Sequence, residues 1–138
     1  TLGTGVGGGV ILGDLVLTGC AYGGAELGHM VIEKDGRQCS CGRKGCLEAY
    51  CSATALVKLT KEKFEECPDS LMREMCENDV NRVGGKTAFA AMKKGDKAGA
   101  EVVDTFISYL ACGVANLINI FQPEVFTIGG GVSGISIF

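Results

Sequence analysis

The feature that most constrains this chain is a group of cysteines that follows its only histidine. Four of the eight cysteines lie between positions 39 and 51, and His29 lies ten residues before Cys39. The imidazole of His29 and the thiolates of Cys39, Cys41 and Cys46 make up a complete ligand set for a closed, tetrahedral structural zinc site. We therefore predict a zinc site built from these residues.

Two other interpretations of the cysteines stay open: disulfides, and reduced thiols that bind nothing. Disulfides fit poorly, because no signal peptide precedes the cysteines and such close pairs would close strained loops. Gly42 and Gly45 favour zinc, since they let the backbone fold tightly enough for three sulfurs to converge. The remaining cysteines are predicted to be structural, with Cys112 a small residue of the core.

A histidine held by a metal has a second use. If one ring nitrogen binds zinc, the other is fixed as an N–H donor of defined direction. Glu26 lies three residues before His29, and Glu48 lies two residues after Cys46. Taken singly, each glutamate is more simply a solvated surface charge. Together, two carboxylates and one fixed donor around a rigid loop suit a ligand rich in hydroxyl groups.

Two glycine-rich segments are typical of loops in which the backbone approaches a ligand closely. Residues 3–9 read Gly-Thr-Gly-Val-Gly-Gly-Gly, which lacks the Gly-Lys-Ser/Thr ending of a Walker A loop. The N–H groups of this loop and the Thr4 hydroxyl are suited to phosphate oxygens, although close packing of a hairpin would explain it equally well. Gly129, Gly130 and Gly131 follow a predicted strand, at the edge where open α/β sheets bind ligands.

Hydrophobic periodicity and capping residues predict an α/β arrangement. The chain opens with a hairpin whose strands, 10–12 and 15–17, flank Gly13-Asp14. The clearest helix starts after Asp96, and the strand 125–128 follows it. The apolar stripe of that helix consists of Val102, Val103, Phe106, Leu110, Val114, Leu117, Ile118 and Phe121. The other predicted elements are a strand at 30–32, a helix from about Leu47 with a second N-cap at Ser52, a helix near 71–76, and a helix at 87–94 ended by Gly95.

The composition excludes several classes of protein. With 46% hydrophobic and 21% charged residues among 138, the chain is globular rather than disordered. A net charge of −3 argues against a general binder of nucleic-acid backbones. No uninterrupted apolar run reaches the ~18–20 residues that span a membrane. Cysteine usage indicates the cytoplasm, and an opening without Met is expected of a piece of a longer chain.

Together these motifs resemble the ROK family of sugar kinases and sugar-responsive repressors, and within it the bacterial glucokinase-like members. The resemblance runs through the first glycine loop, Gly24-Ala-Glu-Leu-Gly-His-Met30, the segment from Cys39 to Glu48, and Ile128-Gly-Gly-Gly-Val-Ser133. The middle blocks are the most specific.

The resemblance implies an α/β, ribonuclease-H-like or actin-like sugar kinase fold with two domains around a cleft. Residues 1–138 would form part of the second, C-terminal domain, which carries the zinc-binding loop, without the N-terminal domain. It assigns structural zinc to His29, Cys39, Cys41 and Cys46, sugar hydroxyls to Glu26, His29 and Glu48, and ATP to Thr4, Gly5, Gly129, Gly130 and Gly131. Mg-ATP would be the co-substrate, and the complete protein would form a homo-oligomer.

Two family features are missing from this sequence: the Asp-x-Gly-Gly-Thr phosphate loop, and the catalytic Asp of an Asn-Asp pair in its usual place. The only Asn-Asp pair, Asn78-Asp79, lies in a polar middle segment. Phosphoryl transfer needs a base for the hydroxyl proton, so we predict that this chain carries no catalytic residue and is inactive alone.

The expected function is therefore part of an ATP-dependent hexose kinase that converts glucose to glucose 6-phosphate. One alternative is the sugar-sensing domain of a ROK repressor, for which nucleic acid would be a partner. The other is a zinc-stabilised interaction module. For the kinase, Glu48→Ala is expected to weaken sugar binding and leave ATP affinity nearly intact.

Overall fold

The computed structural model describes residues 1–132, in which a short hairpin precedes five α-helices. In chain order the elements are β1 (Ile11–Leu12), β2 (Leu15–Val16), α1 (Glu48–Cys51), α2 (Ala53–Glu66), α3 (Leu71–Met75), α4 (Thr87–Lys93) and α5 (Lys97–Phe121). Single turns of 3₁₀-helix lie at Leu27–His29 and Val80–Arg82.

The predicted hairpin is confirmed. Strands β1 and β2 pair antiparallel, with Ile11 opposite Val16 and Leu12 opposite Leu15. Gly13 opens the two-residue connection at φ 60°, a conformation that glycine adopts without steric cost. All four strand residues are exposed.

The predicted N-caps Ser52 and Asp96 are also confirmed, because each side chain accepts a hydrogen bond from the first turn of its helix. The Ser52 hydroxyl accepts a hydrogen bond from the Ala55 N–H (3.0 Å) at the start of α2. Asp96 accepts one from the Gly99 N–H (2.7 Å) at the start of α5, and its other carboxylate oxygen accepts one from the Leu71 N–H. One buried carboxylate therefore starts α5 and fixes α3 beside it.

Helix α5 forms the centre of the core and packs against α4, α2 and α1. Most of its predicted stripe is buried, including Val102, Val103 and Phe106. Two predictions for this helix are wrong: Ile118 is 45% exposed, and Cys112 is exposed. Successive helical residues are rotated by about 100°, so Cys112 falls on the opposite side from the buried Leu110.

By length and composition alone, α5 would also be able to cross a membrane, although its apolar residues do not form one uninterrupted run. Core helices of soluble proteins commonly have the same length and composition. The burial of Val102, Val103 and Phe106 against neighbouring helices is typical of such a core helix.

The strand predicted at 125–128 is not formed in the described part of the chain. A strand exists only through a hydrogen-bonded neighbour, and within 1–132 no segment pairs with these residues. Val125 is 76% exposed and Phe126 40%. The strand predicted at 30–32 is reduced to one bridge, between Val31 and Cys46. The regular secondary structure of residues 1–132 is thus mainly helical; Ser133 and 134–138 lie outside the described residues.

Candidate functional site

The four predicted zinc ligands converge. The ligand atoms of His29, Cys39, Cys41 and Cys46 all lie within 4.8 Å of one another. His29 Nδ1 is 3.5 Å from Cys39 Sγ, and the Sγ atoms of Cys41 and Cys46 are 3.7 Å apart. With Zn–S bonds of about 2.3 Å and a Zn–N bond of about 2.0 Å, a tetrahedral site places the nitrogen roughly 3.5 Å from each sulfur and the sulfurs roughly 3.8 Å from one another. The His29–Cys39 and Cys41–Cys46 distances match these values, so the chemistry and spacing of these residues suit a zinc ion.

The cysteine loop is built by tight backbone turns. The Cys39 N–H donates to the Arg43 carbonyl (2.9 Å), and the Gly45 N–H donates to the Arg37 carbonyl (2.8 Å). Gly45 has φ 79°, and a side chain there would collide with the Glu33 carbonyl. Only glycine satisfies both conditions, so Gly45 is what allows Cys46 to approach the other ligands.

The thiols of the cluster differ in their ease of ionisation. A hydrogen bond from the Arg43 backbone N–H, helped by the Cys39 and Cys46 groups, lowers the pKa of Cys41. Burial, reinforced by Cys41 and Cys39, raises the pKa of Cys46 to about 12. The exposed Cys41 is thus the thiol more easily converted to a ligand, whereas ionised Cys46 needs a neighbouring positive charge.

Glu48 joins the cysteine loop to the first glycine loop. Its Oε2 accepts a hydrogen bond from the Val6 N–H (3.0 Å), and its Oε1 accepts one from the Ser40 hydroxyl (2.9 Å). These two donors, the Val6 N–H first, and the nearby His29 lower the pKa of Glu48. The carboxylate is therefore ionised at neutral pH and is only partly buried, so it can still accept hydrogen bonds from a ligand.

Glu26 and His29 flank one short turn. Nδ1 of His29 faces Cys39, so if this nitrogen binds zinc, Nε2 is the one fixed as a donor. Glu26 is exposed, and within residues 1–132 its side chain makes no hydrogen bond. Between the two, Gly28 packs against the Val6 backbone so closely that a Cβ would collide with the Val6 carbonyl. The turn, Glu48 and the first glycine loop thus meet at Val6.

The two glycine loops lie side by side. The Leu2 N–H donates to the Gly129 carbonyl (2.7 Å), and the Val132 N–H donates to the Leu2 carbonyl (3.2 Å). The start of α2 holds the first loop from the other side, since the Thr54 hydroxyl donates to the Thr4 carbonyl (2.9 Å). The predicted ATP residues Thr4, Gly5, Gly129, Gly130 and Gly131 are therefore brought into one region.

Sequence reasoning missed the supporting residues. Ser40 and Thr54 hold Glu48 and the Thr4 backbone respectively. Nothing in a single sequence distinguishes such hydroxyls from other surface serines and threonines. Only the position of Ser40 between two predicted ligands hinted at a role.

Comparison with known proteins places these motifs in context. Residues 1–136 match the family model of the ROK family. The chain is 42% identical over 133 residues to the glucokinase of Thermotoga maritima, and the aligned region covers 96% of this chain and 42% of that protein. It is 31% identical over 133 residues to the xylose repressor of Caldicellulosiruptor bescii, and the aligned region covers 96% of this chain and 33% of that protein.

A solved structure shows the same fold. A ROK family glucokinase from Streptomyces griseus, in complex with glucose and AMPPNP, superposes with a TM-score of 0.88 at 34% identity. The match covers 97% of this chain and 44% of that one. The chain thus spans about two fifths of the length of the glucokinases it matches and has the fold of that part.

Proposed function

This chain belongs to the ROK family, and we propose that it is part of an ATP-dependent hexose kinase that converts glucose to glucose 6-phosphate. The complete protein would have the two-domain, α/β, ribonuclease-H-like or actin-like kinase fold, of which residues 1–138 supply part of the second domain. We expect a cytoplasmic homo-oligomer with sugar and Mg-ATP as its small-molecule partners.

The observation that carries this proposal is that Glu48, a predicted sugar contact, also binds the first glycine loop. The same carboxylate that would hold the sugar accepts a hydrogen bond from Val6 of the glycine loop that would face ATP. A protein that only sensed sugar would not need its sugar site joined to a phosphate-type loop. A kinase does need this, because catalysis depends on holding both reactants in one geometry.

In this proposal the residues of the chain bind and orient rather than transfer protons. Glu26, Glu48 and the Nε2–H of His29 hold sugar hydroxyls, and Thr4 and Gly5 face the phosphates. Zinc held by His29, Cys39, Cys41 and Cys46 would make the loop rigid and orient the His29 ring, and would activate no water, since four protein ligands leave no open position.

The transfer step itself needs groups from outside this chain. The sugar hydroxyl oxygen forms a bond to the γ-phosphorus of ATP, and the bond from that phosphorus to the β-phosphate oxygen breaks and releases ADP. The hydroxyl proton passes to a general base, and Mg²⁺ offsets the phosphate charge. We assign the base to the part of the protein beyond residues 1–138, so this chain alone should be inactive.

A second candidate function rests on the similarity to the xylose repressor, which covers the same share of this chain as the glucokinase does. In that case the sugar site would act as a sensor, and the complete protein would bind nucleic acid through another segment. Both candidates need the sugar site, and only the kinase needs ATP.

The test uses the complete parent protein in a coupled ADP-release assay with Mg-ATP and a panel of sugars. We expect turnover, with glucose the best of glucose, mannose, fructose, allose and N-acetylmannosamine. Absence of turnover, with a sugar still raising the thermal midpoint, would favour the repressor. Turnover by purified residues 1–138 would contradict the assignment of the base elsewhere.

A further inference from the structure

We propose that Ser40 is a positioning residue: its hydroxyl fixes the Glu48 carboxylate, and through that carboxylate it holds the first glycine loop at Val6. The proposal deepens the proposed function, because it makes one side chain of the cysteine loop responsible for the join between the sugar and nucleotide regions.

The geometry of the carboxylate carries the argument. Ser40 Oγ donates to Oε1 at 2.9 Å, and the Val6 N–H donates to Oε2 at 3.0 Å. Both distances are those of well-formed hydrogen bonds to a charged acceptor. Because the two donors take different oxygens, they fix both the position and the rotation of the carboxylate plane.

Close packing around Val6 makes this orientation matter. A Cβ at Gly5 would collide with Oε2 of Glu48, and a Cβ at Gly28 would collide with the Val6 carbonyl. The peptide on each side of Val6 thus has little free space. If the carboxylate turns away, the Val6 N–H loses its partner, and the loop has no other side-chain bond at that point within the described residues.

The place of Ser40 in the chain fixes the position from which its hydroxyl donates. It lies between Cys39 and Cys41, two of the converging ligands, so its backbone is held on both sides. Its contact with Cys39 Sγ is long, at 3.9 Å, whereas the bond to Glu48 is short. The hydroxyl therefore acts on Glu48 rather than on the cysteine.

The first experiment measures hydrogen exchange of the Val6 amide in the complete protein without ligands. In Ser40→Ala we expect exchange to be faster by about fivefold, the effect of losing one hydrogen bond of ordinary net strength. Glu48→Ala should give a larger increase, and Ser40→Thr should restore protection. The control is Thr105→Ala, which removes an exposed hydroxyl bonded within its own helix.

Two results of this experiment would overturn the proposal. One is unchanged Val6 exchange in Ser40→Ala alongside an increase in Glu48→Ala. The other is a fall in the zinc content of Ser40→Ala, which would place its effect on the metal loop. Since neither measurement needs sugar, ATP or turnover, failure of the kinase assignment would leave this test intact.

A second experiment measures glucose affinity by calorimetry. We expect Ser40→Ala to weaken it about fivefold, and to have no further effect when Glu48 is already alanine, because the hydroxyl acts only through that carboxylate. An equal loss in both backgrounds would mean that Ser40 contacts the sugar directly, and would contradict the positioning role.

Discussion

Gly28 is a residue whose enlargement should damage the site severely. Its ideal Cβ would lie 2.9 Å from the Val6 carbonyl carbon and 3.0 Å from Val6 Cβ, and closer still to the Val6 oxygen. Optimal heavy-atom contacts are about 3.5–4.0 Å. Relief therefore requires a movement on the order of an ångström, and a peptide group cannot swing aside as a flexible side chain can.

A movement of that size exceeds what the neighbouring interactions tolerate. The Val6–Glu48 hydrogen bond is 3.0 Å long, and His29 Nδ1 lies 3.5 Å from Cys39 Sγ. Metal–ligand distances are held within about 0.2 Å, and a misplacement of about 1 Å can cost a hundredfold in rate. In Gly28→Ala we therefore expect zinc affinity to fall at least about tenfold, or the kcat/KM for glucose to fall about a hundredfold.

The matched control is Gly9→Ala, in the glycine loop that contains Val6. Neither glycine has a positive φ, and a Cβ at Gly9 would meet nothing within 4 Å. We expect that variant to retain both properties. Zinc competition with a chelator and steady-state kinetics measure the two effects on the complete protein. If Gly28→Ala matched Gly9→Ala in both assays, the argument from close packing at Val6 would be refuted.

Three further predictions concern the metal, the core and the buried thiols. Cys41→Ser should lower zinc content and sugar affinity together, with Cys112→Ser as control; unchanged sugar affinity without zinc would contradict the orienting role of the metal. Gly113→Ala should destabilise the protein in urea denaturation, because its Cβ would lie 2.6 Å from Leu47 Cδ1. Over most of its range, the overpacking cost of about 1–3 kcal/mol is larger than the helix gain of about 1 kcal/mol. The sign should reverse in a Leu47→Ala background. Burial raises the pKa of Cys51 from 9.0 to about 12. The stabilisation from its buried neutral thiol is therefore present below pH 9 and lost as pH rises toward 12. After treatment with iodoacetamide at pH 8, mass spectrometry should find Cys112 alkylated and Cys51 unmodified.

The parts of the fold that sequence reasoning predicted are those decided by local chemistry. Ser52 and Asp96 were predictable caps. A short polar side chain just before a segment with helical apolar periodicity can accept a hydrogen bond from a backbone N–H of the first turn. The convergence of Cys39, Cys41 and Cys46 was predictable for a similar reason, since close spacing and intervening glycines leave few other arrangements.

The parts that failed depend on contacts distant in sequence. Whether 125–128 forms a strand depends on a neighbour that the described residues do not supply. The exposure of Ile118 depends on where the other helices stop covering α5, whereas that of Cys112 follows from its position opposite the buried Leu110. Periodicity identifies the apolar stripe of a helix, but it does not say how far along that helix its partners extend.

The contact between Glu48 and Val6 changes what a loss of affinity means. From the sequence, Glu48 is a sugar contact, so Glu48→Ala should spare ATP binding, and an equal loss of both affinities would indicate misfolding. In the structure, the carboxylate also holds the glycine loop proposed to face ATP. Weakened binding of both ligands is therefore the expected effect of removing a shared group, and unchanged zinc content and thermal midpoint would distinguish it from misfolding.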